Sequence, residues 1–331
     1  MISGFGKSFA WLNATQFLGA LNDNIFKLIS FFFAIQLLGQ QHASSVVSIG
    51  GIVFVIPFLL FTPAAGVLAD RVSKRTIIVC AKFLEIVVMA CAALAFASQW
   101  APGAFIVLFL MSTQSALFGP SKYGIIPELV GRDKISAANG SLVMMTYLAI
   151  ILGSALGPWL GEQVGGQYVW AAAACVLIAV AGTATSFGIE RTPPAGSCAR
   201  PSLLMVGDVW RTLRSIRGDR ELLMAVVASA YFSLIGSFLQ LNLIPYGLEH
   251  LGLTETESGY LFFFAAIGIG FGAWIAGQVS GRNVEFGIVP IGALALAAAT
   301  MGLGFCESHN AVRLFVLLAG VGAGMFLIPL E

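Results

Sequence analysis

Phe9–Leu38 reads FAWLNATQFLGALNDNIFKLISFFFAIQLL, 30 residues of nearly unbroken apolar character with one Asp, one Lys and no Glu or Arg. A helix needs about 20 such residues to cross the hydrocarbon core of a bilayer, so this run suffices with residues to spare. It is too long for the hydrophobic part of a signal peptide, and no small-residue cleavage site follows it, so it reads as a retained helix. An ionisable group inside such a run is costly and is kept for a reason. Asp23, between Asn22 and Asn24 with Lys27 one turn further on, is therefore the first place to look for function.

The rest of the chain has the same character. Of 331 residues, 58% are hydrophobic and 10% charged, and the mean hydropathy is +0.91. Soluble domains carry about a quarter of their residues as charges, so an all-α polytopic membrane protein is expected. Apolar windows predict ten spans, at residues 9–38, 46–69, 76–98, 103–118, 141–161, 169–188, 222–244, 259–280, 286–305 and 311–330. With the N-terminus placed in the cytoplasm, every one of the 17 Lys and Arg except Lys27, Lys82 and Arg313 falls in a cytoplasmic segment, as the positive-inside rule asks. The opposite loops carry Glu162, Glu249, Glu255, Glu257 and Glu307. The five Cys and three His are scattered, so neither a disulfide framework nor a metal site is expected. No cofactor and no nucleic-acid partner is expected either.

Residues 1–190 hold six of these spans. Residues 191–221 form a polar, Arg-rich cytoplasmic connection, and residues 222–331 hold four spans. Within the connection Val206, Val209, Trp210, Leu213 and Ile216 recur at helical spacing opposite Arg211, Arg214 and Arg217, a pattern that fits a helix lying on an anionic leaflet and fits a solvated linker equally well. Gly66–Val72 after the second span and Gly277–Asn283 after the eighth match at Gly66/Gly277 and Arg71/Arg282, a weak internal repeat. On that mapping the second half lacks counterparts of two helices, so a six-helix N-terminal bundle and a truncated four-helix C-terminal bundle are expected.

Gly66–Arg75, GVLADRVSKR, joins the second and third spans. It resembles the cytoplasmic signature loop of the major facilitator superfamily. Asp70 at a helix end beside Arg71, Lys74 and Arg75 would exchange partners as a bistable latch in which Gly66 is the small residue. Asn13–Lys27, NATQFLGALNDNIFK, and Gly119–Leu129, GPSKYGIIPEL, are similar to the lysophospholipid transporters of that superfamily, as are Ala137–Gly140 and Gly320–Leu330. The resemblance covers nearly the whole chain. It implies a two-bundle fold of about twelve helices in a Gram-negative inner membrane, moving lysophospholipid such as lysophosphatidylethanolamine between leaflets for reacylation. It also implies membrane lipids and an acyltransferase, fused or separate, as partners.

The residues agree with a polar ligand. At 100° per residue, Asn13, Gln16, Ala20, Asp23, Asn24 and Lys27 fall within an arc of about 100°, with Asn22 on the opposite side. The resemblance gives the Asp23 carboxylate a headgroup role; it could take an ammonium while neighbouring amides take glycerol or phosphate oxygens. Asp23 and Lys27 could instead neutralise each other at i, i+4. Lys82 and Glu85 either complete the site, with Lys82 on a phosphate, or pair while Lys82 snorkels to the headgroups. Some relatives have an arginine where Gln240 aligns, so a neutral residue here shifts phosphate binding to Lys82 or Lys27.

Two rivals stand. Gly153–Gly161, GSALGPWLG, resembles an antiporter pattern and would suit a proton-coupled exporter of drugs or metabolites with Asp23 or Glu85 carrying the proton, although close helix packing explains the same glycines. The other is the membrane domain of a phospholipid-remodelling acyltransferase fusion. The 331 residues contain no HxxxxD, GxSxG or nucleotide-loop motif, so the chain itself is expected to be no enzyme.

Overall fold

A computed structural model describes residues 6–131, 134–193, 214–280, 287–306 and 308–327. Among these the chain is helical throughout, with no strand, and it divides into two compact units, Met1–Met205 and Val206–Glu331. Each predicted span coincides with a helix. Among the described residues, eight helices are long and apolar enough to cross a membrane, while Ile288–Leu303 is apolar but only 16 residues long.

The first unit contains α1 (Lys7–Leu38), α2 (Ala43–Arg71), α3 (Lys74–Ala97), α4 (Ala101–Gly124), the short α5 (Ile126–Leu129), α6 (Ile135–Gln163) and α7 (Tyr168–Ser186). α1 is central: 72% of its apolar window is buried in protein, against 17% for α2, whose Ile52, Leu59 and Leu60 lie exposed as lipid-facing side chains would. It packs on α6, α7 and α4; α2 lies against α4, and α3 against α4 and α7. That arrangement explains why the one helix with a polar stripe is inside, since polar groups in a span need protein partners that lipid does not offer. Gly39, at φ +97°, ends α1 in a conformation that β-carbons disfavour. On its C-terminal half Phe33 packs at a tilt against Phe96 of α3 with ring centres 4.4 Å apart and meets Tyr168 of α7 edge-on at 5.8 Å.

Gly153 and Gly157 seat α6 on α1. A β-carbon on Gly153 would lie 2.8 Å from the Asn24 β-carbon and 3.1 Å from the Leu21 carbonyl oxygen, and one on Gly157 would lie 3.1 Å from the Leu28 β-carbon. The glycines of the antiporter-like pattern thus serve close helix approach.

The second unit contains α8 (Arg220–Pro245), a π-turn over Tyr246–His250, α9 (Glu255–Ser280), α10 (Ile288–Leu303) and α11 (His309–Leu327). Asp219 caps α8 by accepting from the Leu222 amide at 3.1 Å. Thr254 and Glu257 start α9 with a reciprocal capping box. α9 and α11 meet backbone to backbone: main-chain oxygens of Leu317 and Val321 occupy the space that β-carbons on Gly268 and Gly272 would need. The expected amphipathic segment lies outside the described residues apart from Arg214, Ile216 and Arg217, the last two in a short 3₁₀ turn. Arg282, the second arginine of the internal repeat, also lies outside them.

Candidate functional site

A cavity of about 540 Å³ opens in the first unit, lined by α1, α2, α3, α4 and α6. Gln16, Asp23 and Asn24 line it from α1, Lys82 and Glu85 from α3, and Ser115 and Lys122 from α4, with Phe54 and Phe58 of α2 making an apolar wall. Of the polar stripe of α1, Gln16, Ala20, Asp23 and Asn24 line this space, whereas Asn13 and Lys27 do not.

Asp23 is half-buried. Its Oδ2 accepts a hydrogen bond of 2.6 Å from Ser115 Oγ, and its Oδ1 is buried without a partner. An acceptor left unmet inside protein is costly, and one beside a cavity marks a candidate site. Lys27 makes no ion pair with Asp23. Its Nζ lies 3.4 Å from Asn24 Oδ1 and 5.2 Å from the centre of the Phe54 ring, so the self-neutralising i, i+4 pair is absent. Asn24 donates back to the Ala20 carbonyl at 2.8 Å, and Gln16 donates to Thr146 Oγ1 of α6 at 3.0 Å.

Lys82 and Glu85 correct the expectation of snorkelling. Both are 1% exposed, and Lys82 Nζ is bonded to Glu85 Oε2 at 2.5 Å inside the protein. Glu85 Oε1 accepts from Asn22 Nδ2 at 2.8 Å, so the amide on the far side of α1 holds the floor of the site while Asp23 holds its wall. The Lys82 ammonium occupies the space that a side chain on Gly19 would fill and lies 5.4 Å from the centre of the Phe118 ring. One of its three N–H donors is given to Glu85.

Lys122 is the cation the sequence reading placed elsewhere. α4 continues to Gly124, beyond the apolar window ending at residue 118, and brings Lys122 to the cavity with its Nζ 5.0 Å from the Tyr123 ring centre. Three residues do not behave as expected of the site or latch. Asn13 is buried off the cavity and donates to the Phe9 carbonyl at 3.2 Å. Gln240 is exposed on α8 of the second unit. Asp70 is exposed and makes no hydrogen bond or ion pair among the described residues, because Lys74 bonds Glu128 of α5 at 2.5 Å and Arg75 Nε reaches the Ile189 carbonyl at 3.4 Å. Lys74 and Arg75 are thus drawn to α5 and to the turn after α7. Gly66 has open space where a β-carbon would be.

The chain matches the model of the Major Facilitator Superfamily over residues 14–330. It belongs to that superfamily. Among curated members it is similar to proteins named Lysophospholipid transporter LplT. The one from Klebsiella pneumoniae is 26% identical over 338 residues, covering 99% of this chain and 80% of that protein. The one from Escherichia fergusonii is 29% identical over 329 residues, covering 96% and 77%. Solved superfamily structures share the fold. The human organic anion transporter MFSD10 (TETRAN) superposes with a TM-score of 0.73 at 16% identity, covering 98% of this chain and 84% of that one. A POT family transporter in complex with 5-aminolevulinic acid superposes with a TM-score of 0.69 at 15% identity, covering 96% and 81%.

Proposed function

We propose that this multi-pass membrane protein is a lysophospholipid transporter, and that the cavity of the first unit receives the polar headgroup. The observation that carries this reading is the Asp23 carboxylate lining a cavity that also holds Lys122, in a chain related over almost its whole length to lysophospholipid transporters. A lysophosphatidylethanolamine headgroup offers an ammonium and a phosphate. Asp23 takes the ammonium, and Lys122 and Lys27 take the phosphate as charge-assisted partners. Asn24 and Gln16 are within the same lining for glycerol oxygens, and the acyl chain runs along Phe54 and Phe58 or stays in the bilayer. Lys82 and Glu85 act together as a neutral support. In the alternating-access cycle the 66–75 loop serves as a latch through Lys74 and Glu128.

The same reading puts the protein in the inner membrane with its N-terminus in the cytoplasm, on the distribution of Lys and Arg. Its product is a substrate for reacylation, so an acyltransferase, fused or separate, is its functional partner. The test is flipping of labelled lysophosphatidylethanolamine in proteoliposomes by the wild-type chain and by Asp23→Ala. Transport by the wild type and its loss in the variant are expected; an unaffected variant removes Asp23 from the mechanism. Proton-driven efflux of cationic dyes without lysolipid movement would favour the exporter instead.

A further inference from the structure

Ser115 stands between two acceptors with one hydrogen to give. Its Oγ is 2.6 Å from Asp23 Oδ2 and 3.2 Å from Gln114 Oε1. A serine hydroxyl donates once, so only one of these oxygens is served at a time. The shorter contact goes to the carboxylate, the more strongly accepting group. Gln114 is 2% exposed, so its oxygen waits inside the protein at bonding distance.

We infer that Ser115 is a placeholder for the ligand's ammonium: it holds Asp23 while the cavity is empty, and when an ammonium binds it hands over Oδ2 and rotates its hydrogen to Gln114. The inference rests on the headgroup reading above and deepens it by naming the residues that select an ammonium. Exchange costs little, because every donor keeps an acceptor. Asp23 trades a hydroxyl hydrogen for an ammonium hydrogen, and Ser115 trades one oxygen for another. A headgroup with no ammonium leaves Ser115 on Asp23 and gains nothing from the exchange.

The two neighbours then have opposite effects. Ser115→Ala removes the competitor in the empty state, so an ammonium ligand binds tighter, by about tenfold if a hydrogen bond to a charged group is worth about 1.5 kcal/mol. Gln114→Ala removes the acceptor that takes the displaced hydrogen, so the same ligand binds several-fold weaker. Ser115→Thr keeps the hydroxyl and stays near wild type. A residue that merely supports the fold would weaken binding on truncation, so the rise in affinity separates the two roles.

The experiment is equilibrium binding to the full chain in micelles by titration calorimetry, with lysophosphatidylethanolamine, lysophosphatidylglycerol and dodecylammonium as probes. The expected result is opposite shifts for Ser115→Ala and Gln114→Ala with both ammonium probes and no shift with lysophosphatidylglycerol. Equal or weaker binding of ammonium probes to Ser115→Ala overturns the inference, as does a shift of the same size with lysophosphatidylglycerol. If dodecylammonium shows the opposite shifts and neither lysolipid binds, the exchange at Asp23 stands and the lysophospholipid reading falls. If no ammonium probe binds the wild type, both fall.

Discussion

Replacing Glu85 by Leu should be among the most damaging single changes in the first unit, and removing Lys82 with it should undo most of the harm. Both side chains are 1% exposed, and Glu85 is the acceptor for Lys82 Nζ at 2.5 Å and for Asn22 Nδ2 at 2.8 Å. Breaking a buried pair from one side costs about 3–5 kcal/mol, because the remaining charge is left without compensation. The stranded Asn22 amide pushes the figure to the upper end of that range, an unmet buried donor costing about 1–3 kcal/mol by itself. In Lys82→Met with Glu85→Leu neither charge remains, and apolar replacements of similar size restore stability to within about 2 kcal/mol of wild type. Unfolding in mixed micelles, titrated with dodecyl sulfate and followed by tryptophan fluorescence, measures both. If Glu85→Leu alone lies within about 1 kcal/mol of wild type, the size expected for a solvent-exposed pair, the argument from burial is wrong. The same double variant also bears on function. With Lys82 and Glu85 acting as a neutral support, the double variant is expected to keep lysolipid transport, and its loss would return Lys82 to the headgroup site.

Other substitutions follow from the packing and the cavity. Gly153→Val drives side-chain atoms into Asn24 and the Leu21 carbonyl, so about 1–3 kcal/mol of stability should be lost together with transport, measured in the same unfolding and flipping assays. Lys122→Gln removes a cavity cation without an ion pair to break, so it should raise the half-saturating concentration of lysophosphatidylethanolamine about tenfold and leave the unfolding midpoint unmoved. Glu128→Gln weakens the hold on Lys74, whose partner is 25% exposed, so only about 1 kcal/mol should be lost in unfolding, with a slower transport rate if the 66–75 loop is a latch.

The polar stripe of α1 was legible because helical periodicity is local: Gln16, Asp23, Asn24 and Lys27 need only their spacing to share a face. Their partners were not legible. Ser115 lies 92 residues from Asp23, Thr146 lies 130 from Gln16, and Glu85 lies 63 from Asn22, so each contact depends on which helices pack together. Asn22 looked idle because the stripe was judged from one helix, and the helix behind it holds a buried carboxylate. Hydropathy ends the fourth span where the apolar residues end and so leaves Lys122 in the cytoplasmic flank, whereas the backbone continues through Pro120 for another turn. The latch role of Asp70 rests on the signature-loop resemblance and on three cations nearby in sequence. Lys74 found Glu128 instead, across a loop that proximity along the chain does not reveal.

The meeting of α1 and α6 through Gly153 and Gly157 has a mechanical meaning for transport. Helices interlocked at their main chains have almost no slack for sliding, so any swing of one drags the other. Asp23, riding on α1, is then bolted to α6, and whatever tilts α6 re-aims the carboxylate without a single rotamer change nearby.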